Sequence, residues 1–262
     1  DASILGADYG DLAELEPYFE REPPETVAIV GGGYVGVEMA EAFRAHGLET
    51  HVFQRSGHLL PPFGEGVCER VADHLRGEDS VEAVVHAAGR APVDLALVGI
   101  GIAPNTGLLD GTPVELGESG AVAVDDYGRT SVDGVYAAGD CAEARHAVTG
   151  ESTWVPLGLT ANRAGRAVGR TVAGDPEPVG DVAGTAVVKA FELECGRVGI
   201  LDHEAARAVG FEPVSVTVDA GSRSGYYPGG DETTVTLCAD SETGRVLGGS
   251  MVGRDRAAIR ID

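Results

Sequence analysis

One short stretch constrains the fold more than any other. From Val27 to Phe43 the sequence runs VAIVGGGYVGVEMAEAF: a β-branched apolar run, three consecutive glycines, then Val37, Ala40 and Phe43 at helical spacing. The run predicts a strand over Thr26–Val30 buried on both faces. The spacing predicts a helix from Tyr34 to His46, with Gly47 just past its last turn. Gly31, Gly33 and Gly36 stand in the order Gly-x-Gly-x-x-Gly. In that order the first glycine permits a tight turn, and the second lets the backbone approach a pyrophosphate. The third lets the helix pack closely on the strand, while the helix N-terminus lends partial positive charge to the phosphates. The pattern alone also fits a glycine-rich turn that holds nothing, but the flanking strand, helix and second strand favour a dinucleotide.

The neighbouring elements extend this unit. THVFQ (Thr50–Gln54) reads as a second strand, and a helix from Phe63 to Arg76 carries Val67, Val71 and Leu75 on one stripe. VDLALVGIG (Val93–Gly101) is another buried strand, and the βαβ alternation predicts a parallel sheet. Residues 1–22 are polar, acidic and weakly helical. Beyond Pro104 the texture changes to short strands with Gly and Asp turns up to Asp140, followed by a helix over Pro156–Val172. After the linker AGDPEP the pattern changes again. AVVKAFELECGRVGI, PVSVTVDAG, TTVTLCAD and VLGGSMVG have period-two character, SETG is a tight turn, and DHEAARAVG is one short helix. That predicts an α+β domain on an antiparallel sheet. The divisions expected are 1–105, 106–178 and 179–262.

Charge narrows the partners. The formal charge is −23, a field that repels phosphate backbones and anionic membrane surfaces. Lys189 is the only lysine, and an acidic, lysine-poor chain resembles proteins of salt-loving organisms, in which concentrated salt screens self-repulsion. An ordinary acidic protein is the plainer reading. Cys68, Cys141, Cys195 and Cys238 lie far apart, against a disulfide framework or a zinc ribbon. No apolar run reaches membrane-spanning length, and the acidic start is unlike a signal peptide. A reducing cytoplasm is the expected setting.

The residue that chooses between the two pyridine coenzymes ends the second strand, about 20 residues beyond the glycines. That position is Gln54, with Arg55 beside it and His58 nearby. Gln54 has no charge to repel a 2′-phosphate and Arg55 is suited to bind one, which favours NADPH over NADH. Arg55 as a solvated loop cation is the alternative.

A second stretch, TSVDGVYAAGDCAE (Thr130–Glu143), places the small apolar run VYAAG before a carboxylate, Asp140. The run predicts a buried strand, and an acid at its end needs a partner to offset desolvation. A helix N-cap role for Asp140 is compatible with that.

Taken together, the blocks VAIVGGGYVGVEMAEAF, LVGIGIAPNTGLL, TSVDGVYAAGDCAE, WVPLGLTANRAGRAVG, FELECGRVGI, SGYYPGG and GRVLGGSMVG, with the closing RAAIRID, resemble the FAD-dependent pyridine nucleotide-disulfide oxidoreductases. The likeness is greatest to the branch of coenzyme A disulfide reductases and NADH oxidases, and the blocks follow family order from Val27 onward. The resemblance implies a Rossmann-type NAD(P)-binding domain, part of a FAD-binding domain and an α+β dimerisation domain with an antiparallel sheet.

It also implies roles. Asp140 would accept from the FAD ribitol, with Gly139 giving close approach and Thr130 in the same flavin-contacting segment. Tyr34 would cover the nicotinamide pocket and move aside for NAD(P)H, Glu38 would orient the carboxamide, and Gly101 would line the coenzyme site. A partly buried aromatic and an exposed helix acid are the plain readings of Tyr34 and Glu38. Tyr226 and Tyr227 resemble tyrosines that reach the active site of a partner subunit in a homodimer, Tyr226 ahead of Tyr227.

The family's first fingerprint, its redox cysteine and its C-terminal tail have no counterpart here, so the expectation is a fragment or shortened relative. The implied activity is hydride transfer from NAD(P)H to FAD and on to a disulfide or persulfide, such as coenzyme A disulfide, or to oxygen. A non-catalytic NAD(P)-binding or dimerisation module stays open beside it.

Overall fold

The computed structural model describes residues 3–6, 24–54, 58–63, 82–83, 93–224, 226, 228–254 and 256–261. The chain divides into two compact units: residues 1–101 together with 187–262, and residues 102–186.

In the first unit, β1 (Ser3–Gly6), β2 (Thr26–Val30), β3 (Glu49–Phe53), β4 (Glu82–Ala83) and β5 (Leu95–Val98) form a parallel sheet in the order β1-β5-β2-β3-β4. Helix α1 (Tyr34–Ala45) connects β2 to β3 and buries Gly36, Val37, Ala40 and Phe43. Gly47 follows at φ +83°, the left-handed position predicted for it. The start of β2 is pinned by Asp94, whose carboxylate accepts from the Glu25 and Thr26 N–H groups at 3.0 Å each.

The second sheet of this unit is antiparallel: β8 (Ala186–Ala190), β9 (Leu193–Gly199), β10 (Pro213–Gly221), β11 (Glu232–Asp240) and β12 (Val246–Gly253), in the order β10-β11-β12-β9-β8. The short helix α3 (His203–Ala208) is N-capped by Asp202, which accepts from Glu204 N and Ala205 N. One apolar core joins the two sheets: Val27, Ile29, Val37, Phe43, Val52, Leu60, Phe63, Leu95 and Leu97 cluster with Val188, Leu193, Cys195 and Val252. Glu41 of α1 crosses the same seam, accepting from Phe191 N at 2.9 Å and pairing with Lys189.

In the second unit α2 (Gly158–Val172) buries Ala164, Ala167, Val168 and Thr171, and the two-residue strands β6 (Ala144–Arg145) and β7 (Ser152–Thr153) pair beside it. Elsewhere the described residues of the unit form a 3-10 turn over Gly107–Leu109, other turns, and isolated bridges such as Arg129 with Tyr136 and Val122 with Ala142.

Several expectations change. Ser3–Gly6, read as part of a weakly helical lead-in, is a strand, because the open edge of β5 offers a row of backbone partners that local pattern cannot foresee. The third buried strand is shorter than Val93–Gly101. The short strands expected up to Asp140 are single bridges, and VYAAG is not a buried strand. Tyr136 makes one bridge, Ala137–Gly139 are half-buried, and Asp140 is exposed. A run of small residues has strand character only with ladders on both sides, and no described segment supplies them. Asp140 opens a turn with Cys141 and caps no helix. The helix expected over Phe63–Arg76 lies outside the described residues apart from Phe63, which ends a 3-10 turn over Pro61–Phe63. No described helix is long and apolar enough to cross a membrane.

Candidate dinucleotide site

The parallel sheet reverses its winding between β2 and β5, and the crevice beyond the carboxyl ends of these strands is where open α/β sheets receive ligands. Gly31–Gly33 sit at that point. Gly31 has φ +117°, and a Cβ there would stand 2.1 Å from the Gly99 carbonyl oxygen at the end of β5. Gly36, in the first turn of α1, would place a Cβ 1.8 Å from the Gly31 carbonyl oxygen. Helix, turn and neighbouring strand therefore touch backbone to backbone. Gly33 differs: apart from its chain neighbours Gly32 and Tyr34, a Cβ built on it meets nothing within 4 Å. It is the N-cap of α1, at φ −80° and ψ −164°, and no side chain caps the helix. The first amides of α1 thus lack a side-chain acceptor beside an open cradle, which fits a pyrophosphate.

The turn is fixed by three hydrogen bonds. Gly31 N donates to Phe53 O at 2.8 Å, Gly32 N donates to Gln54 Oε1 at 2.9 Å, and Leu60 N donates to Gly32 O at 2.8 Å. Gln54, expected only to select the coenzyme, therefore also holds the loop through its amide oxygen. Leu60, at φ +52° and fully buried, folds its segment back onto the glycines, and Leu59 fills the space that a Cβ on Gly32 would need.

Tyr34 is the first residue of α1. Its ring lies 5.3 Å from that of the fully buried Phe63, tilted at 56°. Burial pushes the phenol above its ordinary pKa, against the charge and hydrogen bond of Arg197, which pull it down. Glu38 is exposed one helical turn further along α1. Gly101, at φ +126° with open space around its Cβ direction, ends the segment after β5. The fold thus gathers Gly31, Gly33, Tyr34, Gly36, Glu38, Gln54 and Gly101 at one end of the parallel sheet. His58 is exposed and opens the segment that leads to Leu60. Arg55 and Tyr227 lie outside the described residues.

Thr130, Gly139 and Asp140 belong to the other unit. The Thr130 hydroxyl donates to Val135 O at 3.0 Å and accepts from Val132 N at 3.1 Å, closing its own loop. Gly139 has φ +86°, and the Asp140 carbonyl accepts from Trp154 Nε1 at 2.7 Å. The Asp140 carboxylate accepts no hydrogen bond from the described residues. It is available to a polyol, but it is not the buried acid its sequence context suggests. A cavity of about 160 Å³ lies alongside, lined by Gly128, Ala137, Ala138, Gly139 and Ala164 among others. Cys141 donates weakly from Sγ to Ala138 O at 3.5 Å, and Cys195 and Cys238 are buried thiols. Tyr226 is 83% exposed on the connection between β10 and β11.

Sequence reasoning missed Phe63, Leu60 and Arg197. The proline pair before Phe63 was the only local signal, and nothing local could link a β9 arginine to a tyrosine 163 positions earlier.

Comparison with known proteins agrees with this geometry. Residues 7–165 match the pyridine nucleotide-disulphide oxidoreductase family, and residues 185–262 match the dimerisation domain of the same family. The chain is 37% identical over 261 residues to an NAD(P)H coenzyme A polysulfide/persulfide reductase of Pyrococcus horikoshii, covering 94% of this chain and 58% of that protein. It is 31% identical over 265 residues to an NADH oxidase of Methanocaldococcus jannaschii, again with 94% and 58% covered. An NAD-dependent persulfide reductase from A. fulgidus superposes with a TM-score of 0.90 at 29% identity, covering 99% of this chain and 51% of that one. The chain thus spans a little over half the length of the curated relatives it matches. With its glycine turn, parallel sheet and antiparallel C-terminal sheet matched in order, the chain belongs to the pyridine nucleotide-disulphide oxidoreductase family.

Proposed function

We propose that this chain carries the pyridine-nucleotide half of an NAD(P)H-dependent flavoprotein oxidoreductase. In that enzyme a hydride passes from the coenzyme to FAD and its electrons pass on to a disulfide or persulfide, such as coenzyme A disulfide, or to oxygen. The carrying observation is the open cradle at Gly33, set between two glycines that no other residue can replace without a backbone clash.

The roles follow from position. The N–H groups at the start of α1 would receive the pyrophosphate, Gln54 would select the coenzyme at the ribose bearing the 2′ group, and Tyr34 and Glu38 would border the nicotinamide. When bound, FAD supplies the two-electron acceptor, and the redox chemistry belongs to the two cofactors. Asp140 would receive ribitol hydroxyls and Gly139 would let the backbone approach them. These residues fit one end of a flavin only, because the chain has a single glycine fingerprint. Titration of the purified chain with NADPH and with NADH, together with its visible spectrum, tests the reading. Nucleotide binding with a flavin absorbance supports the oxidoreductase. Nucleotide binding by a colourless protein supports the module, and absence of nucleotide binding overturns both.

NADPH is the proposed preference. Gln54→Glu keeps an acceptor for Gly32 N but adds a negative charge where a 2′-phosphate would sit. The ratio of NADPH to NADH affinity is expected to fall about tenfold or more, since like charges brought together cost several kcal/mol and 1.4 kcal/mol is a factor of ten. An unchanged ratio would remove Gln54 from coenzyme selection.

The chain is further proposed to form a homodimer through its antiparallel sheet. The register pairs Val216 with Leu237 and Val218 with Val235, so these residues share one face with Val214. Val214, Val216 and Val218 on the edge strand β10, and Leu237 on its neighbour β11, are all exposed. A contiguous apolar patch of this kind marks an association surface. Val216→Glu is expected to shift the protein from dimer to monomer in sedimentation velocity while leaving its far-ultraviolet circular dichroism unchanged. A dimer that survives the change would place the interface elsewhere. Tyr226, exposed near this edge, is positioned to be offered to a partner subunit.

A further inference from the structure

We propose that two copies of the chain join edge to edge, β10 pairing antiparallel with β10 of a partner subunit across a two-fold axis at Thr217. The proposal rests on the homodimer reading above and names the backbone contact that makes the dimer. β10 is a terminal strand of its sheet, nine residues long, and every residue from Val214 to Gly221 is exposed. Its register with β11 runs unbroken from Pro213 to Gly221. A bare edge of this length templates pairing with another strand, and proteins blunt such edges with charge, especially lysine, with proline, with bulges or by shortening them. The opposite edge is treated in that way: β8 has five residues and carries Lys189, the only lysine of the chain. On β10 the one proline stands at the first position, Pro213, and the one charge is Asp219.

The ends of the ladder fix the direction of the backbone groups. Ser241 N donates to Glu212 O at 2.8 Å and Ser222 N donates to Asp231 O at 2.7 Å, both pairs continuing the β10–β11 register. Hydrogen-bonded pairs alternate along an antiparallel ladder, so the even-numbered residues between these two bond to β11. Ser215, Thr217 and Asp219 turn N–H and C=O outward, where no described strand meets them. Their side chains do not guard that edge. His203 Nε2 hydrogen-bonds Ser215 Oγ at 2.7 Å, Thr236 Oγ1 hydrogen-bonds Thr217 Oγ1 at 2.9 Å, and Thr234 Oγ1 donates to Asp219 Oδ1 at 2.6 Å. The single carboxylate is thus tied back over its own sheet.

Thr217 is the midpoint of Pro213–Gly221, so a two-fold axis there pairs β10 over its whole length. Ser215 then faces Asp219 of the partner subunit, and no like charges meet. Val216 faces the partner's Val218 in a non-hydrogen-bonded pair, where side chains approach most closely. The two valine rows, each with Leu237 behind it, become one apolar band on a joined sheet. A dimer held by the valine faces alone would leave the outward amides of β10 open to water.

Amide hydrogen exchange resolved by residue separates the two arrangements, on the purified chain at concentrations above and below dimer dissociation. The Val216 and Val218 amides bond within the subunit and should be protected at both. The Thr217 and Asp219 amides should exchange about tenfold or more slowly in the dimer than in the monomer. Thr217→Pro removes an N–H that β11 does not use, and proline is tolerated on an edge strand. It should raise the dimer dissociation constant about thirtyfold or more in sedimentation equilibrium, for the two central hydrogen bonds lost. Thr217→Val keeps the N–H and should stay within about threefold of wild type.

A dimer whose Thr217 amide exchanges as fast as the monomer's would overturn the edge pairing, as would a Thr217→Pro dimer as tight as wild type. Should Thr217→Pro not fold, the exchange pattern of the wild-type chain decides alone. A wild-type chain that stays monomeric at every concentration sinks the homodimer reading and the edge pairing with it. Dissociation by Val216→Glu, beside a Thr217→Pro dimer of wild-type tightness, sinks the edge pairing alone.

Discussion

Gly33→Val is expected to abolish nucleotide binding, by at least about a hundredfold, while leaving the fold intact. The backbone at Gly33 is in a region open to any L-residue, and beyond its chain neighbours nothing lies within 4 Å of the direction its Cβ would take. As an N-cap without a side-chain bond it contributes little to α1, so replacement costs about 1 kcal/mol or less of stability. The valine branches would occupy the space through which a pyrophosphate reaches the helix amides, and those amides would lose their anion. Isothermal titration with NADPH and a thermal melt of the same sample read the two effects separately. Undiminished affinity would mean that the coenzyme does not approach this turn.

The opposite outcome is expected three residues later. Gly36→Ala introduces the best helix former, which by propensity alone favours the helix by about 1 kcal/mol. Yet its Cβ would stand 1.8 Å from the Gly31 carbonyl oxygen, a backbone atom that cannot swing away. Either α1 lifts off the turn or the turn distorts, and both break the packing of Val37, Ala40 and Phe43. Steric overpacking at a rigid site costs about 3 kcal/mol or more, outweighing propensity. A melting temperature lower by about 10 °C follows for a unit of this size. Gly31→Ala should behave alike, because it adds a disfavoured φ to a 2.1 Å approach to Gly99. A Gly36→Ala protein as stable as wild type would show that helix and turn are not in contact.

These two glycines illustrate which features a sequence reveals. The turn, β2 and α1 were legible because their signals are local: a β-branched run, glycines at fixed spacing, apolar residues every three or four positions. The antiparallel strands were legible for the same reason, through period-two patterning and the SETG turn. The environment of Asp140 was not, because a run such as VYAAG becomes a buried strand only when neighbours pair with it, and that depends on residues far away in sequence. The pairing of β1 with β5 was hidden for the same reason. Gln54 was found at the right position, but its bond to Gly32 required knowing how closely the end of β3 approaches the glycines. Arg197 carried no signal at all, since its meaning comes from the meeting of two sheets that a whole intervening unit separates in the chain.

That separation has a bearing on biosynthesis. The core that seals β2, α1 and β5 is completed by Val188, Leu193, Cys195 and Val252. A nascent polypeptide leaving the ribosome must therefore expose Val27, Ile29 and Leu97 until the final hairpin has been translated, and sequence-distant closures of this kind are slow. Residues 102–186, a compact unit of their own, can settle meanwhile. Chaperone demand should accordingly concentrate on the first hundred residues.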